Sequence, residues 1–133
     1  MPITYHIQDD GHTIFAVASG VVTGEEFIEY EVGRAIDERI KSPLSELLVV
    51  KPNALSNLTK DDLAEAIRRN KEKPNPPMPH QCALVISSGD AQGWNPAKFY
   101  EGMVRQHYHR TIIVFGDEKI ARIWLGIERI EWG

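Results

Sequence analysis

The chain has one cysteine, no dense run of basic residues and no long apolar segment. Because Cys82 has no second cysteine to pair with, an internal disulfide is excluded. The most basic segment, residues 68–73, is interrupted by Asn70 and Glu72, so nucleic acid is not an expected partner. No apolar run approaches the roughly 20 residues that span a bilayer, and the first residues carry no signal-peptide pattern. We therefore expect a cytoplasmic protein with no membrane span.

The chain also lacks the patterns that identify catalytic and cofactor sites. Residues 89–93 form a glycine-bearing loop, but it has neither a GxGxxG pattern nor a Lys-Ser/Thr pair. Ser87 and Ser88 have no G-x-S-x-G frame around them. His107 and His109 would point to different sides of a helix, and no cluster of carboxylates or cysteines joins them. We expect no enzyme activity, no bound metal and no cofactor.

Length and composition indicate an ordinary globular domain. The chain has 133 residues, of which 42% are hydrophobic and 26% charged, and its net charge is −4. A chain of this length can bury roughly two thirds of its unfolded surface. The composition favours neither disorder nor a fibrous architecture. We expect residues 1–133 to form one domain.

The most apolar segment, residues 81–87, predicts a strand near the middle of a sheet. Its five consecutive apolar side chains end abruptly at polar residues, a pattern typical of a strand buried on both faces. Four more strands are predicted at residues 3–8, 13–19, 46–50 and 111–115, and the first two are joined by a hairpin turn. Helical patterns separate the other strands. The fold class is therefore α/β, with a mostly parallel five-stranded sheet, an N-terminal β-hairpin strand and helices on both faces.

The first helix is predicted to begin after Thr23 and to run to about Ile40. Thr23 and Glu26 have the spacing of a capping box. A glycine inside this helix, Gly33, costs about 1 kcal/mol relative to alanine, and we interpret it as a site of close packing. The predicted buried stripe consists of Phe27, Ile28, Val32, Ala35, Ile36 and Ile40.

Three further helices follow the later strands. Thr59 is the predicted N-cap of the second, and Asn95 with Pro96 is the predicted start of the third. The inner face of the third helix should contain Phe99, Tyr100, Met103 and Val104, and that of the last helix should contain Ile120, Ala121, Trp124 and Leu125.

Loops at the carboxyl ends of the parallel strands are the predicted binding region. In an open α/β sheet these loops meet along one edge, where ligands bind. The candidate residues for binding a ligand or a partner are Asn53, Ser56, Thr59, Ser87, Ser88, Asp90 and Trp94. None of them has the neighbours that a catalytic role requires.

Two segments carry a resemblance to a known family. Residues 19–27 and 114–125, together with the order of elements, resemble the STAS-like proteins, which include bacterial anti-sigma-factor antagonists and are structurally related to CRAL-TRIO lipid carriers. The resemblance implies a bacterial, non-enzymatic binding module that engages a protein partner or a small apolar ligand. Antagonists carry an Asp-Ser-Ser-Gly segment after the third strand, and its serine is phosphorylated. Here residues 59–62 read Thr-Lys-Asp-Asp, so that serine is missing.

Two other functions stay open, namely a carrier of lipids or small hydrophobic molecules and an enzyme of unrecognised type. The C-terminal segment bears on the assembly of the protein. Ile127, Ile130 and Trp132 follow the last helix and leave apolar area that must be covered. We expect these residues to dock on the domain or to form a homodimer contact.

Overall fold

The computed structural model describes residues 2–71, 79–87, 89–107 and 110–127. The strands in these ranges are β1 (Ile3–Gln8), β2 (Thr13–Ala18), β3 (Leu44–Val50), β4 (His80–Ile86) and β5 (Thr111–Phe115). The helices are α1 (Gly24–Ile36), α2 (Lys60–Lys71), α3 (Ala91–His107) and α4 (Glu118–Leu125). The predicted α/β class and mostly parallel five-stranded sheet are confirmed.

The strands lie in the sheet in the order in which they occur along the chain. β1 pairs with β2 antiparallel, and every later neighbour is parallel, from Thr13 opposite Ser45 to Gln81 opposite Thr111. The hairpin turn between β1 and β2 is a short 3-10 segment in which Asp9, Asp10 and Gly11 all have positive φ. Because β2 to β5 are parallel, the loops after them leave the same edge of the sheet.

Three helices cover one face of the sheet and α4 covers the other. The larger core joins α1, α2 and α3 to alternate strand residues, such as Ile14, Leu48 and Leu84. The smaller core joins Ala121 and Leu125 of α4 to the opposite faces of β3 and β4. Both faces of β3 and β4 are therefore buried, which confirms the prediction for these strands.

The first helix differs from its prediction in length and in the face that it buries. It ends at Ile36, because Asp37 adopts an extended conformation and its carboxylate accepts a hydrogen bond from the Arg39 amide. Ile36 is 60% exposed, whereas Glu31 and Arg34 are buried, so the predicted stripe is wrong at Ile36. Ile40 lies beyond the helix but is buried, as predicted. The Thr23 capping box is confirmed.

The prediction of close packing at Gly33 is also wrong. A Cβ atom added at Gly33 would meet no atom of the described residues within 4 Å. The glycine therefore lies against open space and not against the sheet.

The third helix begins earlier than Asn95, and that prediction is wrong. The Asp90 carboxylate accepts the Gly93 amide at 3.0 Å, so α3 starts at Ala91 and contains Pro96. Tyr100 and Val104 are buried and Phe99 and Met103 are half-buried, as predicted.

The last helix carries one error in the predicted inner face. Ala121 and Leu125 are buried, but the Ile120 side chain is 53% exposed. Beyond α4, Ile127 is buried on the domain, as one of the two expectations for the C-terminus required. Ser88, His109, Ile130, Trp132 and the proline-rich residues 74–77 lie outside the described residues, as does the His107 side chain.

Candidate functional site

The predicted binding region lies at the edge where the parallel strands end, and one carboxylate joins two of its loops. Asp90, which is only 9% exposed, accepts the Gly93 amide through Oδ1 at 3.0 Å. Its Oδ2 atom lies 3.4 Å from the Asn53 amide, which donates across from the loop after β3. Asn53 has a φ of 70°, a left-handed conformation that asparagine tolerates better than most residues. The Asp90 carboxylate therefore holds backbone groups of both loops.

The hydroxyl groups in the loop after β3 are bound locally. Ser56 Oγ donates to the Asn53 carbonyl at 2.8 Å. Thr59 Oγ1 accepts the Asp62 amide at 3.1 Å, while Asp62 Oδ2 accepts the Thr59 amide at 3.0 Å. This reciprocal pair confirms Thr59 as the N-cap of α2. The side chains of Ser56 and Thr59 are both exposed.

The remaining candidates are placed differently. Ser87 is exposed and its carbonyl accepts the Asp90 amide at 2.9 Å, so it belongs to the same loop. Ser88 lies outside the described residues. Trp94 is half-buried against the larger core, with Lys98 Nζ 5.9 Å from the ring centroid. Hydrogen bonds thus join Ser56 to Asn53, Asn53 to Asp90 and Asp90 to Ser87. The Trp94 amide donates to the Asp90 carbonyl at 2.9 Å, while the Trp94 side chain packs against the core.

An exposed apolar side chain lies beside these loops. Val21 is 49% exposed and precedes Val22, whose amide donates to the Ala54 carbonyl at 2.8 Å. The Lys51 amide, at the start of the loop after β3, donates to the carbonyl of Ala18, the last residue of β2, at 2.8 Å. We call Val21, Asn53, Ser56 and Thr59 the carboxyl-edge surface. Its backbone is held by hydrogen bonds while these four side chains face solvent.

A cluster of buried ionisable groups with strongly perturbed pKa values lies elsewhere, near the amino ends of β3, β4 and β5. Glu46 of β3 is 1% exposed and accepts three hydrogen bonds. Tyr30 Oη donates to Oε2 at 2.5 Å, Arg34 Nη1 donates to Oε2 at 3.0 Å, and His80 Nε2 donates to Oε1 at 2.7 Å. Every partner is itself buried.

A second buried carboxylate extends this cluster. Glu31 accepts Tyr100 Oη at 2.6 Å and Arg110 Nη1 at 3.3 Å. Glu31 also forms an ion pair with Arg34, which therefore bridges the two acids. We call Glu31, Arg34, Glu46, His80 and Arg110 the buried charge network.

The pKa shifts in the buried charge network follow from burial and from opposite charges. Burial alone would raise the pKa of Glu46, but Arg34 and the His80 hydrogen bond outweigh it and hold that pKa well below its usual value. Burial lowers the pKa of His80 to about 4, although Glu46 opposes the shift. At neutral pH the network thus contains two carboxylates, two guanidinium groups and a neutral imidazole, which balances its charge.

Burial also determines the state of the single thiol. The pKa of Cys82 is raised well above its usual value by burial and by the charge of Glu46. Because the thiolate is the reactive form, Cys82 is a packed core residue and not a nucleophile.

The sequence held a signal for the buried charge network that the apolar patterns obscured. Glu46 alternates with Leu44 and Leu48 on the face of β3 that α1, α2 and α3 cover, so it occupies a position in the larger core. Glu31 and Arg34 continue the buried face of α1 that begins at Phe27. Charged residues at the spacing of a buried face indicate an internal ion-pair network.

The cavity among the larger core residues is too small for an apolar ligand. It has a volume of about 10 Å³ and lies between the sheet and α1, α2 and α3, where Leu48, Leu84 and Tyr100 are among its lining residues. That volume is about the space one water molecule needs. A lipid chain would require this core to open.

The described ranges contain neither a cluster of metal ligands nor a membrane-spanning helix. Among those residues no three His, Cys, Asp or Glu side chains converge as a metal site needs. No helix in the same ranges is long and apolar enough to cross a membrane. Comparisons with protein-family models, with curated proteins and with solved structures found no match to this chain.

Proposed function

We propose that this protein is a non-enzymatic binding module of the STAS-like type, which engages a protein partner through the carboxyl-edge surface. The observation that carries the proposal is the order of that surface. The Val22 amide ties the loop after β2 to the loop after β3, and the Asp90 carboxylate ties the loop after β3 to the start of α3, while Val21 stands 49% exposed. A surface already held in one conformation loses little conformational entropy on binding.

The chemistry of the same edge favours binding over catalysis. Both oxygens of the Asp90 carboxylate accept backbone amides, and the Thr59 hydroxyl caps a helix. The buried charge network has strongly shifted pKa values, and its side chains are at most 7% exposed. No substrate can reach them while the core is closed.

Site-specific crosslinking tests the proposal. A photoreactive residue is placed at position 21 in the full-length protein expressed in its own cells, and the matched control carries it at Ile36, which is 60% exposed near the opposite end of α1. We expect one discrete adduct from position 21 and none from position 36. Unlabelled protein should compete for the adduct, and the Val21→Glu variant should not.

Equal labelling at both positions, or no adduct at position 21, would contradict the proposed surface. A turnover screen covers the enzyme alternative. Esterase, phosphatase or oxidoreductase activity that disappears on replacing Asp90 or Lys51 would replace the binding module with an enzyme.

A further inference from the structure

A groove between β1 and α1 has the features of a site for an organic cation. It has a volume of about 230 Å³, and the rings of Tyr5 and Tyr30 form part of its lining together with Gly33. The two rings meet edge to face, with centroids 5.8 Å apart. Tyr5 Oη donates to Asp37 Oδ2 at 2.7 Å and Tyr30 Oη donates to Glu46, so both rings are held in place.

The groove exists partly because α1 has a glycine at this position. A Cβ atom at Gly33 would meet nothing within 4 Å, so packing within the described residues does not require glycine there. Glycine inside a helix nevertheless costs about 1 kcal/mol relative to alanine. The absence of a side chain at Gly33 leaves space in the groove that a ligand can occupy.

The charge of the groove selects the class of ligand. Glu26 and Glu29 line it, and no basic side chain of the described residues does. One Glu26 oxygen accepts the Thr23 amide at 2.8 Å, whereas Glu29 is exposed. The buried Tyr30 ring already has the Arg34 guanidinium 5.5 Å from its centroid, so the half-buried Tyr5 ring and the exposed Glu29 carboxylate are the groups that would attract a further cation, through the ring quadrupole and the ionic charge.

The size of the groove and the position of β1 select the source of that cation. A volume of 230 Å³ is below the range of about 300–1,000 Å³ that is typical of small-molecule sites, and it suits one long side chain. In the described part of the chain β1 is hydrogen-bonded to β2 alone, so its outer edge can pair with an extended peptide. We propose that a partner protein adds an extended segment along β1 and inserts a basic side chain into the groove. This surface is separate from the carboxyl-edge surface.

Peptide titration of the full-length protein, followed by amide NMR, tests the inference. The probe is acetyl-Val-Thr-Lys-Thr-Val-amide, with norleucine in place of lysine as the uncharged control. We expect the lysine peptide to shift the amide signals of Tyr5, Glu29 and Gly33, and to bind about tenfold more tightly than the norleucine peptide at low salt. n-Butylammonium should bind more weakly than the lysine peptide because it makes no contact with the strand edge.

Two pairs of variants locate the site. Gly33→Leu fills the groove and should abolish binding, whereas Gly102→Leu, in an equally open helical position on α3, should not alter it. Glu29→Gln should weaken binding several-fold, and Glu38→Gln, which removes an exposed acid outside the groove, should have no effect. Circular dichroism verifies that each variant is folded.

Three results would overturn the inference. Equal affinity for the norleucine peptide would show that the groove does not recognise a positive charge. If n-butylammonium bound as tightly as the lysine peptide, the ligand would be a free amine and not a peptide segment. Unchanged binding by Gly33→Leu would place the peptide elsewhere. None of these results affects the crosslinking test at position 21.

Discussion

Polar groups are bound differently at the two ends of the parallel strands. At the amino ends, Glu31 and Glu46 are fully buried and are balanced by two arginines. At the carboxyl ends, the Asp90 carboxylate lies just below the surface and binds backbone amides instead of charged side chains. The first arrangement is closed to solvent, whereas the second fixes loops that remain accessible. Glu46 and His80 have strongly perturbed pKa values although they lie in the core, whereas in many proteins such values mark active sites.

Removing a charge from the buried charge network should have the largest effect. Glu46→Gln leaves Arg34 with one carboxylate partner fewer and should reduce the free energy of unfolding by about 3 to 5 kcal/mol, measured by urea denaturation. Glu38→Gln, at an exposed position, should change it by less than about 0.5 kcal/mol. A loss below about 1 kcal/mol for Glu46→Gln would mean that the network adds little to stability.

The amino-end network should also respond to pH above the range of the carboxylates. His80 has a folded pKa of about 4 against 6.5 in the unfolded chain, so the unfolded state takes up the proton first as the pH falls. The contribution of His80 is complete above pH 6.5 and is lost between pH 6.5 and about 4. The loss should reach about 2 kcal/mol at pH 5.

Two histidine variants separate this effect from others. His80→Gln should flatten the stability curve between pH 7 and 5, whereas His6→Gln, at an exposed position on β1, should leave the curve unchanged. The glutamates of the network have lowered pKa values, so they reduce stability only below about pH 4.5. If the stability of His80→Gln fell between pH 7 and 5 as steeply as that of the unmodified protein, the pH dependence would belong to another group.

Breaking the carboxyl-end tie should have a smaller and more local effect. Asp90→Ala removes the acceptor of two amides and should cost about 2 kcal/mol. Hydrogen exchange should increase most at the Asn53 and Gly93 amides. Asp61→Ala, which removes an exposed acid in the first turn of α2, is the matched control. Exchange that increases equally over the whole sheet would show that Asp90 stabilises more than its two loops.

The smallest effect is expected at the cap of α2. Thr59→Ala should lower stability by about 1 kcal/mol, because the Asp62 amide loses its acceptor. Thr23→Ala removes the equivalent group from α1 and should have a similar effect in thermal unfolding. A much larger effect at Thr59 would indicate that the carboxyl-edge surface depends on this cap.

The local signals in the sequence predicted the fold better than the site. Apolar runs and the Thr23 cap identify their elements because burial and capping act on neighbouring residues. The end of α1 at Ile36 is a local feature, because the Asp37 carboxylate accepts the Arg39 amide, but the apolar spacing that continues to Ile40 hides it. The second bond of Asp37, from Tyr5 of β1, lies 32 residues away and leaves no signal in the local sequence. The start of α3 was missed because Pro96 masks the cap formed by Asp90. For the candidate site, the sequence placed Asn53 and Asp90 at one edge but did not show that the carboxylate binds both loops.

The sequential strand order has a consequence for how the protein is made. As the chain leaves the ribosome from its N-terminus, each strand finds its neighbour among residues that have already emerged. The buried charge network does not follow this order, because Arg110 precedes the last strand and emerges after Glu31, Arg34 and Glu46. Before Arg110 emerges, the emerged part of the network has two carboxylates and one guanidinium group. We therefore expect the charge of the buried charge network to be balanced only after Arg110 has been made.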